Sequence, residues 1–319
     1  MARSDLLLKL AEAVDKEDKT LAKKTFDSII AEERAKNHHI VADRLIEKLH
    51  NKKPNSSGKQ TVLENEISPL LKRVTPEKSL NDLILDNQTR VICEEVIEEQ
   101  NSTNLLRSYG LEPRNRLLFV GPPGNGKTSL AEALASHLML PFYVVNYDSL
   151  IGSYLGETSS RLKKIFNFID DRACVIFFDE FETIAKERGA ENETGEIKRV
   201  VSSLLLHIDD LPSNVVVITA SNHDELLDRA VWRRFQVKLN LPNPTRNQIE
   251  KWFKKFFNGI EYDSKYSEKT LAKYLYGKSF SDIEQFGLDV KRRYVLRQSK
   301  ESFRETISYK LKQWKLPNN

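Results

Sequence analysis

Hydrophobic and polar residues follow two different patterns along the chain. In the first part, apolar side chains recur at helical spacing, as at Leu6, Leu10 and Val14. This pattern predicts a small helical unit over residues 1–50. The next stretch, residues 51–66, begins with the polar, breaker-rich sequence NKKPNSSGKQ and predicts a flexible linker.

From about Ile67 onward, short apolar runs alternate with longer amphipathic stretches. Five runs have the length of strands: RLLFV, PFYVV, CVIFF, VVVITA and FQVKLNL, at residues 116–120, 141–145, 174–178, 215–220 and 235–241. Strands that alternate with helices form mostly parallel sheets covered on both faces. Residues 67–242 are therefore predicted to form an α/β domain with a doubly wound, parallel, five-stranded sheet. The helical periodicity that follows predicts a helical lid domain at residues 243–319.

Composition agrees with a globular protein of the cytoplasm. Of the 319 residues, 39% are hydrophobic and 30% are charged, and no apolar run approaches the roughly 18 residues of a membrane helix. The N-terminal sequence meets acids and lysines too early for a signal peptide. Neither Cys93 nor Cys174 lies in a CxxC pair, and no HExxH motif occurs, which argues against a zinc site of those types.

Positive charge is concentrated in the C-terminal part of the chain. Residues 241–319 contain 17 Lys and Arg against 9 Asp and Glu, a net charge of +8 within a total of +4. A run such as KRRYVLRQSK could contact nucleic acid, but it is more often a solvated helix face. No aromatic-interleaved groove or base-reading motif accompanies it, so the sequence argues against a nucleic-acid partner.

The most informative motif is GPPGNGKTS, which directly follows the apolar run at 116–120 and precedes a helical pattern. It matches the phosphate-binding loop G-x-x-x-x-G-K-[ST] in its strand–loop–helix context, and it predicts binding of ATP. We expect Lys127 to reach the β- and γ-phosphates and Thr128 to hold Mg²⁺. The nucleotide-binding residues predicted here are Gly121, Pro122, Pro123, Gly124, Asn125, Gly126, Lys127, Thr128 and Ser129.

An acidic pair follows the run CVIFF. Asp179 and Glu180 are predicted at the carboxyl end of a strand, the edge of a doubly wound sheet where ligands bind. Asp179 is then the partner of Mg²⁺, and Glu180 is the candidate base that activates the attacking water. An acidic pair considered alone is more often a helix N-cap.

Two further polar features could complete such a site. Asn222 follows VVVITAS and could orient the water or contact the γ-phosphate, although a simple turn asparagine is the alternative. Arg233 and Arg234 could stabilise charge on the transferred phosphoryl group, and a neighbouring subunit can supply such arginines in trans. As bare sequence, the pair is more often an exposed, salt-bridging patch.

The order of these motifs resembles that of AAA ATPases, the protein-remodelling clade of the AAA+ superfamily with a P-loop NTPase fold. The resemblance covers roughly residues 80–294 and includes LLFVGPPGNGKT, VIFFDE, TASNHDELLDRAVWRRF and GKSFSDIEQF. The adjacent arginines before phenylalanine are similar to those of katanin and spastin. The resemblance implies a homo-oligomer, a hexamer, in which Arg233 and Arg234 act on ATP bound to the next subunit.

The resemblance also implies where the nucleoside lies. Leu83 and Ile84, in the sequence DLIL, are expected beside the adenine, and the segment from Gly277 to Ser281 closes over base and ribose. Phe280 and Ser281 stand where the family usually has Gly and Ala in G-x-S-G-A-D-I.

Tyr154 lies between two glycines in the sequence GSYLGE. In AAA ATPases the loop at this position projects into the central channel and carries an aromatic residue before Gly-Glu. The resemblance therefore implies that Tyr154, with Leu155 beside it, grips a polypeptide. Turn strain or partial burial are the alternative explanations of this tyrosine.

The helical first fifty residues differ from the usual substrate domains of the clade. In this arrangement the chain is similar to compact bacterial AAA ATPases found beside subtilisin-like serine proteases, some in antiviral defence pairs. No Ser-His-Asp set is discernible, so any proteolysis would belong to a partner. The sequence thus favours an ATP-dependent protein remodeller; a nucleic-acid-linked ATPase or loader and a nucleotide-gated regulatory switch remain open.

Overall fold

The computed structural model describes most of the chain. The described residues are Leu6, Lys9, Ala11, Glu12 and the ranges 19–35, 67–151, 155–183, 194–227, 229–258, 267–297 and 301–315.

The chain divides into two compact units, Met1–Glu64 and Asn65–Asn319. In the first unit, helix α1 (Lys19–Ala35) buries Thr25, Ile29 and Ile30, whose spacing places them on one helix face. The predicted linker at residues 51–66 lies outside the described residues. The domain boundaries inferred from the sequence remain predictions.

The second unit contains a six-stranded sheet. Its strands are β1 (Leu71–Val74), β2 (Arg116–Val120), β3 (Phe142–Val145), β4 (Cys174–Phe178), β5 (Val215–Ser221) and β6 (Val237–Asn240). They lie in the order β1-β3-β4-β5-β2-β6. All neighbouring strands pair in parallel except β1, which is antiparallel to β3. The five predicted runs are the five parallel strands, so the predicted fold class is confirmed, with one edge strand added.

No apolar run in the sequence predicts β1, because the strand is short and half of its residues are charged. Leu71 is buried and pairs with Val145, whereas Lys72 and Arg73 are exposed. Charged residues on an edge strand hinder pairing with other chains. The strand β1 therefore forms one edge of the sheet although its sequence contains no apolar run.

Helices cover both faces of this sheet. They are α2 (Asn87–Asn101), α3 (Thr103–Ser108), α4 (Lys127–Leu138), α5 (Tyr147–Leu150), α6 (Leu155–Ile169), α7 (Thr194–Asp210) and α8 (Arg229–Arg234). None of the described helices is both long and apolar enough to cross a membrane.

The core consists of two layers, one on each face of the sheet. Successive residues of β2 point to opposite faces, so that Leu118 packs in the layer with α6 and α7, and Phe119 packs in the layer with α2 and α4. All residues of β4 and β5 are buried. Burial on both faces explains why these strands read as continuous apolar runs rather than as alternating ones.

The C-terminal part is helical, as predicted. Its helices are α9 (Arg246–Phe256), α10 (Glu268–Tyr274), α11 (Phe280–Arg297) and α12 (Phe303–Lys315). Their inward faces form a separate apolar core. Gly287 permits the close packing of α11 on α9, because a Cβ at this position would lie 2.6 Å from the ring of Phe256 and 2.9 Å from that of Trp252.

Candidate functional site

A cavity of about 650 Å³ lies where β2, β4 and β5 end and where the C-terminal helices approach the sheet. Because these three strands are neighbours and parallel, the residues that follow them meet at one edge of the sheet. The volume is in the range of small-molecule sites. Predicted site residues that line it are Leu83, Ile84, Pro123, Gly124, Asn125, Gly126, Lys127, Thr128, Ser129, Asp179, Glu180, Asn222 and Ser281.

The phosphate-binding loop connects β2 to α4, which begins at Lys127. Lys127 is 5% exposed, and its Nζ donates to the carbonyls of Gly121 (2.7 Å) and Pro122 (3.1 Å). Burial lowers the pKa of Lys127, while the nearby carboxylates of Asp179, Glu182 and Glu180 act in the opposite direction. Gly121 and Pro122 thus contact Lys127 through their carbonyl oxygens and do not line the cavity.

Gly121 should not tolerate a side chain. Its φ of +134° is rarely adopted by other residues, and a Cβ would overlap the backbone carbonyl of Leu241. Leu241 cannot retreat easily, since its N–H donates to Val120 O at 2.8 Å. We expect Gly121→Ala to lower the free energy of unfolding by about 2 kcal/mol and the affinity for ATP at least about tenfold. Thermal unfolding and titration with a fluorescent ATP analogue measure both.

Gly156→Ala is the matched control for this prediction. Gly156 lies in the first turn of α6, and a Cβ there would meet nothing within 4 Å. Alanine in a helix should raise the free energy of unfolding by up to about 1 kcal/mol. A Gly121→Ala protein with wild-type stability and affinity would contradict the steric argument.

The two predicted metal-binding residues are in direct contact. Thr128 Oγ1 donates to Asp179 Oδ2 at 2.7 Å, which joins the start of α4 to the end of β4. Hydroxyl and carboxylate oxygens suit Mg²⁺, which usually completes its shell with water and substrate phosphates. The donor set therefore fits this ion, with Thr128 and Asp179 as the protein groups that would hold it.

Glu180 occupies a turn with unusual backbone geometry. Its φ of +48° is left-handed, a conformation that non-glycine residues adopt only when the surrounding structure enforces it. The N–H of Glu180 donates to Asp179 Oδ1 at 3.0 Å, and the next N–H, of Phe181, donates to Ala220 O at 2.8 Å. These bonds hold the turn so that Glu180 is exposed to the cavity while Phe181 is buried.

Glu182 is a neighbour that the sequence reasoning missed. Its side chain is 4% exposed, and Oε1 accepts the N–H of Asn222 at 3.1 Å. This bond connects the segments that follow β4 and β5 and fixes the backbone at Asn222. The position of Glu182, three residues after Asp179 in the sequence DEFE, was the available signal.

Negative charge collects at this end of the cavity. Burial raises the pKa of Tyr147 well above its ordinary value, and the carboxylates of Asp179, Glu182 and Glu180 add to the rise. The same three carboxylates favour the charged form of Lys127. The arrangement suits a divalent cation and the phosphates that it would bridge.

The segment before α2 and the C-terminal helices complete the lining of the cavity with both apolar and charged side chains, and they contribute more residues than predicted. Of the residues predicted around the nucleoside, Leu83, Ile84 and Ser281 line the cavity and Gly277 does not, and their binding roles stay predictions. Gly277 is exposed, and its φ of +90° makes it part of the turn before α11. Lining residues absent from the predicted set are Glu77, Lys78, Asp82, Leu85, Trp252, Phe280 and Glu284.

Lys78 and Trp252 stand out among these additions. Lys78 Nζ donates to Ser129 Oγ at 2.8 Å and forms an ion pair with Glu132 at 3.3 Å, which places a second cation beside the first turn of α4. Trp252 stacks on Phe256 with the ring centroids 4.3 Å apart. Both residues lie far from the phosphate-binding loop in the sequence, so no motif near the loop could predict that they line the cavity.

The two candidate arginines do not line the cavity. Both are exposed on α8, but their surroundings differ. Arg234 forms an ion pair with Asp209, whose other oxygen accepts from Arg116 Nη1 at 2.6 Å. Among the described residues, Arg233 makes no hydrogen bond or ion pair. Within the described part of the chain, the structure thus distinguishes the paired Arg234 from Arg233, which has no such partner there.

Tyr154, the residue predicted to grip a polypeptide, lies outside the described residues. Residues 152–154, including Tyr154, are not among the described ones. Leu155 begins α6, and Ile151 ends the segment that follows α5. The role of Tyr154 and Leu155 therefore stays a prediction.

Comparisons with known proteins agree with these features. The family model described as "ATPase family associated with various cellular activities (AAA)" matches residues 117–243. An AAA family ATPase of Sinorhizobium fredii is 34% identical over 291 residues, covering 89% of this chain and 87% of the relative. A 26S proteasome regulatory subunit homolog of Methanothermobacter marburgensis is 30% identical over 256 residues, covering 79% of this chain and 68% of the relative. The peroxisomal ATPase PEX6 of Kluyveromyces lactis is 41% identical over 143 residues, 43% of this chain and 14% of that protein.

Proposed function

The chain belongs to the AAA family of ATPases, and on that premise we propose that it is an ATP-driven protein remodeller that hydrolyses ATP between the subunits of a ring. Hydrolysis of ATP follows from membership of the family. The ring, its six subunits, the Mg²⁺ ion and the polypeptide substrate are parts of the proposal.

One observation carries the proposal of a shared site. The cavity contains a phosphate-binding loop, the acidic pair Asp179 and Glu180, and Asn222, yet no arginine is among the described residues that line it. Arg233 and Arg234 are instead exposed on α8. Phosphoryl transfer commonly uses an arginine to stabilise the transition state, and a neighbouring molecule can supply it. A second copy of the chain would complete the site.

In this proposal each residue has a defined role. Lys127 binds the β- and γ-phosphates, and Thr128 and Asp179 would hold Mg²⁺, which neutralises phosphate charge when bound. Glu180 accepts a proton from the water that attacks the γ-phosphorus, and Asn222 orients that water. Glu182 keeps Asn222 in place through its backbone N–H.

The polypeptide substrate is proposed on other grounds. The names of two relatives refer to the proteasome and to the peroxisome, and the sequence GSYLGE resembles the channel loop of such ATPases. An aromatic side chain can hold any extended polypeptide through apolar contact. Tyr154 would therefore transmit the work of hydrolysis to a substrate.

Replacing Tyr154 by Ala should separate these two activities. We expect Tyr154→Ala to retain ATP hydrolysis within about twofold and to slow ATP-dependent unfolding of a tagged fluorescent protein at least about tenfold, because the loss of a large aromatic contact weakens the grip. Tyr109→Ala is the control, since Tyr109 directly follows α3, is 77% exposed and does not line the cavity. Equal loss of both activities would mean that Tyr154 supports the fold.

Partners are best identified with a variant that binds ATP but does not hydrolyse it. Glu180→Gln protein held in ATP should retain its neighbours and its substrate, and identification of what co-purifies tests a serine-protease partner and a role in antiviral defence. These two finer assignments rest on the resemblance alone. ATPase stimulation by DNA that weakens steeply with salt would instead favour a nucleic-acid-linked ATPase. Very slow turnover with tight nucleotide binding would favour a regulatory switch.

A further inference from the structure

Asn125, at the tip of the phosphate-binding loop, directs its side chain to the C-terminal helices. The amide is 6% exposed. Its Oδ1 accepts the N–H of Phe280, the first residue of α11, at 3.2 Å. Its Nδ2 donates to Asn243 Oδ1 at 2.9 Å, in the segment between β6 and α9. Both ends of the Asn125 amide are thus occupied by contacts to other segments of the chain.

Neighbouring contacts strengthen the same junction. Gly124 O accepts the N–H of Ser281 at 2.9 Å, and a Cβ on Gly124 would lie 2.9 Å from Ser279 Oγ. Asn243 Nδ2 in turn donates to Gly277 O at 3.4 Å. The loop, the start of α11 and the connection from the sheet to the C-terminal helices therefore form one hydrogen-bonded unit.

An exposed link joins the C-terminal helices to the segment before α2, and it is weaker. Lys255 of α9 forms an ion pair with Asp82 at 3.2 Å, with side chains 52% and 58% exposed. Exposed pairs of this kind contribute little, because solvent screens them and ordering the side chains opposes them. A buried amide left without partners is much more costly. Among the described residues, the Asn125 bonds are thus the side-chain hydrogen bonds that connect the phosphate-binding loop to the C-terminal part, beside the backbone bond from Ser281 to Gly124.

We propose that Asn125 is a positioning residue that locks the C-terminal helices onto the phosphate-binding loop and thereby sets the rate at which nucleotide leaves the cavity. This inference rests on the proposed nucleotide site. The cavity is lined by the loop on one side and by Trp252, Phe280 and Ser281 on the other, so a bound nucleotide would lie between them. Opening the lid must break the bonds of Asn125.

Release of a fluorescent ADP analogue, measured by stopped flow, tests this role. Asn125→Ala removes two partly buried hydrogen bonds and should speed release about 5- to 30-fold. Asn243→Ala removes the shared bond without altering a residue that lines the cavity, and it should speed release about fivefold. Because one bond is common to both, the double variant should release ADP more slowly than the product of the single effects predicts.

Asn247→Ala is the matched control, since Asn247 is exposed on α9 and does not line the nucleotide cavity. It should release ADP at the wild-type rate. Thermal unfolding of the nucleotide-free proteins separates positioning from general stability, because a purely structural role would lower the melting temperature without changing release. Release within twofold of wild type in Asn243→Ala, or full multiplicativity in the double variant, would overturn the inference.

A Lys127→Ala variant distinguishes this inference from the proposal that it rests on. If the wild-type protein binds ADP and Lys127→Ala does not, the nucleotide site stands, and unchanged release in the asparagine variants then counts against the lock alone. If Lys127→Ala binds ADP as tightly as wild type, the proposed site fails, and the lock fails with it.

Discussion

Replacing Glu180 by Gln is expected to leave ATP affinity within about threefold of wild type while slowing hydrolysis at least about 100-fold, the contribution of a well-placed general base. Gln has nearly the same size and can occupy the same turn, but its amide cannot accept the proton of the attacking water. The turn is held by the hydrogen bonds that the N–H of Glu180 donates to Asp179 Oδ1 and the N–H of Phe181 donates to Ala220 O, and the substitution leaves both in place. ATP titration and steady-state phosphate release measure the two quantities.

Glu284→Gln is the control for this prediction. Glu284 lines the same cavity from α11, so the substitution removes the same charge from a different element. It should leave the rate of hydrolysis within about threefold of wild type, because the proposed general base is Glu180. Near-normal turnover by Glu180→Gln would remove Glu180 from the mechanism.

The parallel part of the fold could be predicted because burial on both faces leaves a direct mark in the sequence. A strand such as β4, with the sequence CVIFF and every residue buried, cannot alternate polar and apolar residues. The edge strand β1 carries no such mark. It is held by pairing with β3, a tertiary interaction between segments about seventy residues apart.

The site could be predicted where its chemistry is local. The loop before α4 and the acidic pair after β4 are each short, contiguous motifs that can be recognised without knowing the packing of the rest of the chain. The structure brings Thr128 of one into contact with Asp179 of the other. Lys78 and Trp252 reach the cavity only through the packing of distant segments, and no pattern near them in sequence signals it. The same holds for the bond from Glu182 to Asn222.

The arginine pair is the clearest case of what sequence spacing leaves open. Arg233 and Arg234 are adjacent in the chain but differ in their contacts. Asp209, near the end of α7, forms an ion pair with Arg234. That carboxylate is also bound by Arg116 of β2. Burial lowers the pKa of Arg116, and the nearby positive charge of Arg234 lowers it further. Asp209 therefore balances two cations, and Arg233 is left for another role.

Arg233→Ala should reduce ATP hydrolysis at least about 1,000-fold with little change in stability, since an arginine that stabilises the transferred phosphoryl group contributes 10³ or more to the rate and Arg233 has no partner to lose among the described residues. Unlike Arg233→Ala, Arg234→Ala should lower the melting temperature, because Asp209 loses one of its two arginine partners. Arg229→Ala, an exposed arginine at the start of the same helix, is the control and should leave both quantities unchanged.

Mixing variants tests whether Arg233 acts on the next subunit. Arg233→Ala subunits keep Glu180, and Glu180→Gln subunits keep Arg233, so each homogeneous ring lacks one group at every site. In a mixed ring, an interface that pairs the intact Glu180 of one subunit with the intact Arg233 of its neighbour is complete, and hydrolysis should return in proportion to the number of such interfaces. An arginine that acts within its own subunit could not be restored in this way, because every subunit would still lack one of the two groups. Absence of recovery at all mixing ratios, with mixed rings verified by native mass spectrometry, would therefore place Arg233 outside the neighbour's site and leave the shared-site proposal without its catalytic arginine.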